Sequence, residues 1–363
     1  MKLKVPEAIL SIAPYVPGKP ITALARELGV RHAIKLASNE NPIGPSPLAL
    51  KALQGILSEL NRYPDGGGYE LVGKLSEKFA VPPEQIVLGA GSDDIIAMLT
   101  RALLMPGDEA VMPKPSFLMY DIMVRSASAR SVRVPLKSLA IDLDEMAAGV
   151  NDKTRMIFLT NPNNPTGTSI SKDDFERFLN SVPAEVVVIV DEAYIEFVRD
   201  PACMKSIRYI QNDRAVVVLR TFSKAYGLAG LRVGYGLMPE AIAALLHRVR
   251  QPFNVNSLSQ AAAAAALEDN GFLEKTLEVV HAGLDFIDRS LADMQIRHFP
   301  TQANFLLVDV ETDADEVYAV LLRKGVIVRS MRSYGYPQYI RVSAGLPEEN
   351  ERFVEALGEV LRP

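Results

Sequence analysis

The segment 221–235, TFSKAYGLAGLRVGY, decides the predicted fold of this chain. The apolar residues 215–219 before it predict a buried strand. Lys224 therefore follows the carboxyl end of a strand, the edge of a sheet where open α/β folds bind ligands. Hydroxyl side chains flank the lysine, and Arg232 follows eight residues later.

These side chains indicate a cofactor that has both a carbonyl and a phosphate. The amine of Lys224 can form a Schiff base with a carbonyl, and the guanidinium of Arg232 can bind a phosphate through two hydrogen bonds. Pyridoxal phosphate carries both groups. Taken alone, the segment leaves a second interpretation open, a surface lysine and an arginine in a glycine-rich loop.

Composition narrows the class of protein. With 363 residues the chain is too long for one small core, which predicts two domains or one large α/β domain with an appendage. A net charge of −5 without a dense lysine or arginine run argues against a nucleic-acid partner. The single Cys203 excludes a disulfide framework, and the four histidines lack the spacing of metal ligands.

The N-terminal region predicts no export signal, because Pro6 and Pro14 interrupt any apolar stretch. No run of about 18 apolar residues occurs, so we expect no membrane span. A cytoplasmic protein is the resulting expectation. Residues 1–30 predict an extended arm, with a frayed terminus as the alternative.

Two further predicted strands end in polar residues. The strand at 155–160 runs into NPNNPTG, where Asn164 could bind a phenolate-like oxygen. The β-branched strand at 186–190 ends at Asp191, and a carboxylate there is costly without a partner. A protonated pyridine nitrogen would be such a partner. The alternative is that Asp191 caps the next helix.

The segment GAGSDD at 89–94 joins a predicted strand to an apolar helix. The free N–H groups at a helix N-terminus attract anions, which indicates a phosphate site on the backbone. The carboxylates of Asp93 and Asp94 would repel a phosphate, so we expect both to point away and to complement the helix dipole.

With these residues assembled, the chain resembles the aspartate-aminotransferase-like (fold-type I) pyridoxal phosphate enzymes, and among them it is most similar to the histidinol-phosphate aminotransferases. The motifs that carry the resemblance are PYVPGKP (14–20), ASNENPIGPSP (37–47), RYPDGGG (62–68), GAGSDD (89–94), NPNNPTG (161–167), DEAYIEF (191–197), TFSKAYGLAGLRVGY (221–235) and IRVSAGLPEEN (340–350).

The resemblance implies an α/β fold, consistent with the alternating strand and helix patterns between residues 31 and 265. The implied fold comprises a three-layer large domain with a mixed, mostly parallel sheet at 31–265 and a smaller α+β domain at 266–363. The arm at 1–30 would pack on the small domain and at the interface of a homodimer.

The resemblance also implies the roles of individual residues. Lys224 would hold pyridoxal 5'-phosphate as a Schiff base and move the substrate proton, and Asp191 would keep the pyridine nitrogen protonated. The remaining cofactor contacts are Tyr194 and Asn164 at the ring oxygen, Phe117 on the ring face, and Arg232, Thr221, Ser223, the backbone of Ser92 and Asp93, and the other subunit's Tyr63 at the phosphate. The implied substrate contacts are Arg341, Arg329 and Tyr15.

The implied reaction transfers an amino group from L-histidinol phosphate to 2-oxoglutarate, giving imidazole acetol phosphate and L-glutamate, in a ping-pong scheme that belongs to histidine biosynthesis. Two other enzymes on the same scaffold stay open: an aromatic-amino-acid aminotransferase and a threonine-phosphate decarboxylase. A non-catalytic regulator is disfavoured, because it needs a DNA-binding module and the segment before Leu36 is short and not basic.

Overall fold

A seven-stranded sheet forms the centre of the computed structural model, which describes residues 3–14, 18, 20–21, 26, 32–211 and 214–361. Its strands are β2 (Ile86–Gly89), β3 (Glu109–Lys114), β4 (Arg130–Pro135), β5 (Thr154–Thr160), β6 (Val187–Asp191), β7 (Val216–Thr221) and β8 (Gly234–Leu237). They lie in the order β2-β8-β7-β6-β5-β3-β4.

The sheet is mixed and mostly parallel, as predicted. Strands β4, β3, β5, β6 and β7 run parallel, whereas β8 is antiparallel to both of its neighbours. All residues of β6 are buried, which agrees with its β-branched sequence, because parallel strands are covered on both faces. Thr160 pairs with Asp191 in register, so the carboxyl ends of β5 and β6 lie side by side.

Helices cover both faces of this sheet, and two hydrophobic clusters fill the space between. The helices before and around the sheet are α1 (Glu7–Leu10), α2 (Pro47–Ile56), α3 (Tyr69–Phe79), α4 (Ser92–Leu103), α5 (Leu118–Ser126), α6 (Leu143–Ala148), α7 (Lys172–Ser181), α8 (Glu240–Val249) and α9 (Ser257–Ala266). Short 3₁₀ helices span Leu57–Glu59, Pro83–Gln85, Ile195–Phe197, Ser206–Tyr209 and Ala229–Leu231.

The C-terminal part of the chain builds a smaller α+β unit with its own hydrophobic cluster. It contains α10 (Asn270–Asp293), β9 (Phe305–Asp309), α11 (Ala314–Arg323), β10 (Val326–Ile327), β11 (Arg329–Ser330), the 3₁₀ helix Arg332–Tyr334, β12 (Tyr339–Ser343) and α12 (Pro347–Leu361). Strands β11, β12 and β9 form an antiparallel sheet in that order.

We propose that the chain divides as its sequence predicts, into an arm at 1–30, a large domain at 31–265 and a small domain at 266–363. The hydrophobic clusters support this division, although the cluster of the small unit also includes Leu36, Tyr194, Phe197 and Ala225. One early segment of the large domain pairs with the small unit, because β1 (Ile34–Lys35) pairs with β10.

Across the described ranges, no helix combines the length and apolarity that a membrane crossing requires. The same ranges contain no group of three or more histidine, cysteine, aspartate or glutamate residues that could hold a metal ion.

Candidate active site

A cleft opens where the carboxyl ends of the central strands meet the small unit. The predicted site residues that line it are Ser92, Asp93, Phe117, Asn164, Asp191, Tyr194, Thr221, Ser223, Lys224, Arg232, Arg329 and Arg341. They come from six separate stretches of sequence. Tyr63 lies outside this cleft, and Tyr15 is outside the described residues.

Lys224 occupies the turn that follows β7. Its Nζ donates a hydrogen bond of 3.0 Å to the carbonyl oxygen of Ser38. Burial, together with the positive charge of Arg341, lowers the pKa of Lys224 to about 8. A lysine with this pKa is substantially neutral in mildly alkaline solution, so its amine is available as a nucleophile and a base.

The turn that holds Lys224 requires a glycine. Gly227 has a φ of +70°, and a Cβ there would lie 2.1 Å from the carbonyl oxygen of Gly44. Only a residue without a side chain lets the two backbones approach this closely. The segment around Gly44 thereby packs against the lysine turn.

Asp191 is the last residue of β6 and is buried. Its Oδ1 accepts a hydrogen bond of 3.1 Å from the backbone N–H of Ala193, and its Oδ2 accepts one of 2.7 Å from the hydroxyl of Tyr120. Burial raises the pKa of Asp191 to about 6. The alternative interpretation of Asp191 as a helix cap is wrong, since Tyr194 occupies the cap position of the next 3₁₀ helix.

The N-terminus of α4 forms the end of the cleft expected to bind phosphate. Gly91 precedes it with a φ of +84°, and a Cβ there would lie 2.7 Å from Nη2 of Arg232. Gly234 is equally constrained, because its Cβ would lie 2.6 Å from the backbone nitrogen of Ser92. These glycines leave room for Arg232 beside the free N–H groups of the helix.

The expectation that both aspartates of this helix point away from the cleft is correct for one of them. The carboxylate of Asp94 turns back and accepts hydrogen bonds from Ala90 N and Asn254 Nδ2. For Asp93 the expectation is wrong, because its Oδ2 lies 3.4 Å from Nη2 of Arg232 inside the cleft. The opposite charges of Asp93 and Arg232 attract each other, which accounts for this orientation.

Arg341 reaches the cleft from β12 of the small unit and is buried. Its Nη1 donates to Oδ1 of Asn164 at 2.5 Å, and its Nη2 donates to the carbonyl oxygen of Ala37 at 2.9 Å. Its Nε is buried and has no hydrogen-bond partner among the described residues. A buried donor without a partner is energetically costly, so we expect a bound ligand to supply the acceptor.

Arg329 and Arg341 are direct cross-strand partners in the β11–β12 pair. Both side chains line the cleft, so an anionic ligand bound there would lie close to two guanidinium groups. Arg332 lies elsewhere and forms ion pairs with Asp313 and Asp315.

Tyr194 lines the cleft, and its ring packs edge-on against Phe305 of the small unit. Its hydroxyl accepts hydrogen bonds from Asn39 Nδ2 at 2.9 Å and from Asn164 Nδ2 at 3.3 Å. Burial raises the pKa of Tyr194 to about 12, which keeps the phenol protonated and able to donate a hydrogen bond.

Tyr63 stands on the molecular surface, with 83% of its area exposed. Its ring stacks on Phe253 with centroids 4.8 Å apart.

Among the contributors to the cleft that were missed in the sequence, three bind predicted site residues. Ser38 accepts the lysine hydrogen bond through its backbone, Asn39 binds Tyr194, and Tyr120 binds Asp191. Tyr120 follows Phe117 by three residues at the start of a helix, and this spacing places both side chains on one face. The sequence could therefore have indicated that Tyr120 lies near the cleft. The contacts of Ser38 and Asn39 span more than 150 positions and leave no local pattern.

Comparison with known proteins gives the following similarities. Residues 31–357 match the family model described as aminotransferase class I and II. The chain is 48% identical to histidinol-phosphate aminotransferase 2 of Pseudomonas aeruginosa, over 97% of this chain and 96% of the relative. It is 45% identical to histidinol-phosphate aminotransferase of Caldicellulosiruptor saccharolyticus, over 98% and 99%.

A solved structure is similar over the full length. The crystal structure of histidinol-phosphate aminotransferase from Sinorhizobium meliloti in complex with pyridoxal-5'-phosphate has a TM-score of 0.92 and 28% sequence identity. The similarity covers 100% of this chain and 98% of that chain.

Proposed function

The chain belongs to the aminotransferase class I and II family, and we propose that it transfers the amino group of L-histidinol phosphate to 2-oxoglutarate with pyridoxal 5'-phosphate as its cofactor. The observation that carries this substrate is the pair of arginines, Arg329 and Arg341, that are cross-strand partners and both line the cleft. We propose that this reaction is a step of histidine biosynthesis.

The residues of the cleft fit pyridoxal phosphate. The glycine-lined N-terminus of α4, with Arg232, Thr221 and Ser223, offers donors for a phosphate. At the other end, the buried carboxylate of Asp191 offers a partner for a protonated ring nitrogen. When bound, the cofactor supplies an electron sink for the carbon that carries the substrate's amino group.

We assign the proton transfer to Lys224. With its pKa lowered to about 8, the Nζ can take a proton from the substrate carbon and return it. Tyr194 and Asn164 would hold the oxygen of the ring in place, and Phe117 would cover one face of the ring. Asp191 would stabilise the positive charge on the ring nitrogen.

The arginine pair distinguishes a phosphate ester from an amino acid. A phosphate ester carries nearly two negative charges and three acceptor oxygens, whereas an α-carboxylate is satisfied by one guanidinium. Two opposed guanidinium groups therefore match histidinol phosphate in the first half-reaction. In the second half-reaction, the carboxylate of 2-oxoglutarate can bind Arg341, because a guanidinium donates hydrogen bonds to a carboxylate as well as to a phosphate.

Replacing Arg341 with alanine is expected to impair both half-reactions. Loss of a charge-assisted contact costs about 1.5–3 kcal/mol, which corresponds to roughly a tenfold to hundredfold fall in kcat/KM. Arg341→Lys should recover little, because an ammonium lacks the planar fork. Single-turnover absorbance measurements with histidinol phosphate and with glutamate separate the two half-reactions.

The matched control is Arg332→Ala, which removes an arginine of the same segment that pairs outside the cleft and should leave kcat/KM unchanged. Histidinol without its phosphate should react far more slowly than histidinol phosphate. Equal rates for the two compounds, or a clear preference for phenylalanine, would exclude the proposed substrate and favour an aromatic-amino-acid aminotransferase.

We propose a two-fold homodimer in which Tyr63 of each subunit reaches the phosphate of its neighbour. Its 83% exposure and its stacking on Phe253 support a role across an interface. The exposed residues Leu57 and Leu60 precede the same loop and would be covered in such a dimer. A cytoplasmic location accompanies this proposal, as the sequence predicts.

Tyr63→Phe is expected to weaken cofactor binding about tenfold or more, because it removes a hydroxyl donor to a charged phosphate. Equilibrium dialysis measures the affinity, and sedimentation measures the assembly. The control is Tyr69→Phe, at an equally exposed tyrosine of the following helix. A fully active monomer in sedimentation experiments would contradict the dimer.

A further inference from the structure

The carboxylate of Asp191 accepts a side-chain hydrogen bond to which the proposed reaction assigns no role. The hydroxyl of Tyr120 donates to its Oδ2 at 2.7 Å, on the oxygen that the Ala193 N–H does not contact. Hydrogen bonds from a hydroxyl to a carboxylate at this distance are among the strong ones in proteins. Tyr120 is completely buried, so the bond is shielded from water.

The ring of Tyr120 is held on two sides. It stacks on Phe158 with centroids 4.6 Å apart and an interplanar angle of 11°, and it meets Phe117 edge-on at 5.5 Å. Its hydroxyl also lies 3.0 Å from that of Thr160, which is the last residue of β5. The phenol therefore has a fixed position and its donor points in one direction.

The charge balance around Asp191 makes this donor important. Burial raises the pKa of the carboxyl, and the nearby negative charges of Asp93 and Glu192 act in the same direction. The hydrogen bonds from Tyr120 and from the backbone of Ala193 oppose them. Lys224 and Arg232 line the same cleft. Tyr194, another titratable group nearby, is protonated at neutral pH because burial raises its pKa to about 12.

Tyr120 can donate throughout the pH range in which the protein works. Burial, and then the negative charge of Asp191, raise the pKa of Tyr120 well above its ordinary value. The proton of this pair therefore stays on the phenol and the negative charge stays on the carboxylate.

We propose that Tyr120 is a positioning residue for the transaminase reaction, which keeps Asp191 ionised and oriented toward the ring nitrogen of the cofactor. The inference rests on the proposed function, because it gives Asp191 that partner. Phe117, which would cover the ring, packs against the same tyrosine. Tyr120 thus positions both Phe117, which would cover the face of the ring, and Asp191, which would bind the ring nitrogen.

The test compares Tyr120→Phe with the original protein. The full-length chain without cofactor, labelled with ¹³C at the aspartate carboxyl carbons, is titrated by NMR, and the Asp191 signal is identified by its absence in Asp191→Asn. Because the variant removes a bond that favours the charged form, the pKa of Asp191 should rise by about one unit or more. In the holoenzyme, kcat should fall about tenfold with little change in KM, and the acid limb of the kcat profile should move to higher pH.

The matched control is Tyr209→Phe. Tyr209 is also buried and donates to a carboxylate, Oε1 of Glu176 at 2.9 Å, but it lies outside the cleft. It should change neither the pKa of Asp191 nor kcat. If Tyr120→Phe does not fold, Thr160→Val serves instead, because it leaves the phenol as a weaker donor and should raise the pKa of Asp191 by a smaller amount.

An unchanged pKa of Asp191 in Tyr120→Phe would overturn the inference. A fall in kcat without that shift would assign Tyr120 a packing role only, which also overturns it. The NMR titration uses neither substrate nor cofactor. A wrong substrate assignment therefore leaves the titration readable, and the two proposals fail separately.

Discussion

Lys224→Ala is expected to lower turnover by at least about a thousandfold, because the substitution removes both the nucleophile and the base that moves the substrate proton. The cofactor should still bind through its phosphate, which contacts other residues of the cleft. The purified original protein should be yellow, and amino donors should discharge its absorbance. Steady-state assays and cofactor dialysis measure the two effects separately.

The attachment point can be checked directly. Borohydride reduction followed by peptide mapping should place the cofactor on Lys224 and leave Lys78 unmodified. Lys78 is a suitable comparison because burial lowers its pKa as well, although it lies on α3 outside the cleft. A Lys224→Ala protein that keeps most of its activity would falsify the assignment.

The pH dependence of cofactor capture follows from the same lysine. The neutral amine reacts with a carbonyl, and a lowered pKa makes the neutral form available at lower pH. The rate at which the cofactor-free chain captures pyridoxal phosphate should therefore rise with pH through about 8, well below the ordinary lysine value of 10.5. Stopped-flow absorbance measures this rate.

Asp191→Asn is the second substitution with a large expected effect. It removes the negative charge beside the ring nitrogen, so the positive charge there loses its stabilisation and the electron sink weakens. Loss of one electrostatic contact of this kind costs about 100- to 1,000-fold in kcat. The cofactor should remain bound, because its phosphate contacts are unchanged.

Asp309→Asn provides a matched control. Asp309 ends β9 as a buried aspartate, and its Oδ1 accepts a hydrogen bond from a backbone N–H two residues later, as that of Asp191 does. It does not line the cleft and should not affect kcat. If Asp191→Asn keeps a kcat close to that of the original protein, the carboxylate is only a structural residue.

The sequence predicted most of the fold and the cleft because the predicted site residues follow strands. Parallel strands end at one edge of a sheet, so Asn164, Asp191 and Lys224 could be placed together from the positions of their strands alone. The spacing of residues along the chain does not indicate that these side chains lie near Arg341 of the small unit. That expectation came from the resemblance to the family.

The remaining features depend on contacts between distant parts of the chain. The pairing of β1 with β10 joins residues that differ by about 290 positions, and no local periodicity indicates it. The orientation of Asp93 was predicted wrongly because its partner Arg232 is contributed by a segment 139 positions away, and no local pattern indicates this contact.

Three consecutive residues hold side chains of the cleft: Ala37 binds Arg341, Ser38 binds Lys224 and Asn39 binds both Tyr194 and Ser343. The contacts of this segment with β12 span 304 positions. During synthesis, which proceeds from the N-terminus, residues 37–39 emerge early but must wait for nearly the whole chain before they meet their partners. Loops this long close slowly because their entropy is lost before the contacts form. The cleft therefore cannot be completed before the chain has been synthesised through β12, which supplies the partners of residues 37 and 39.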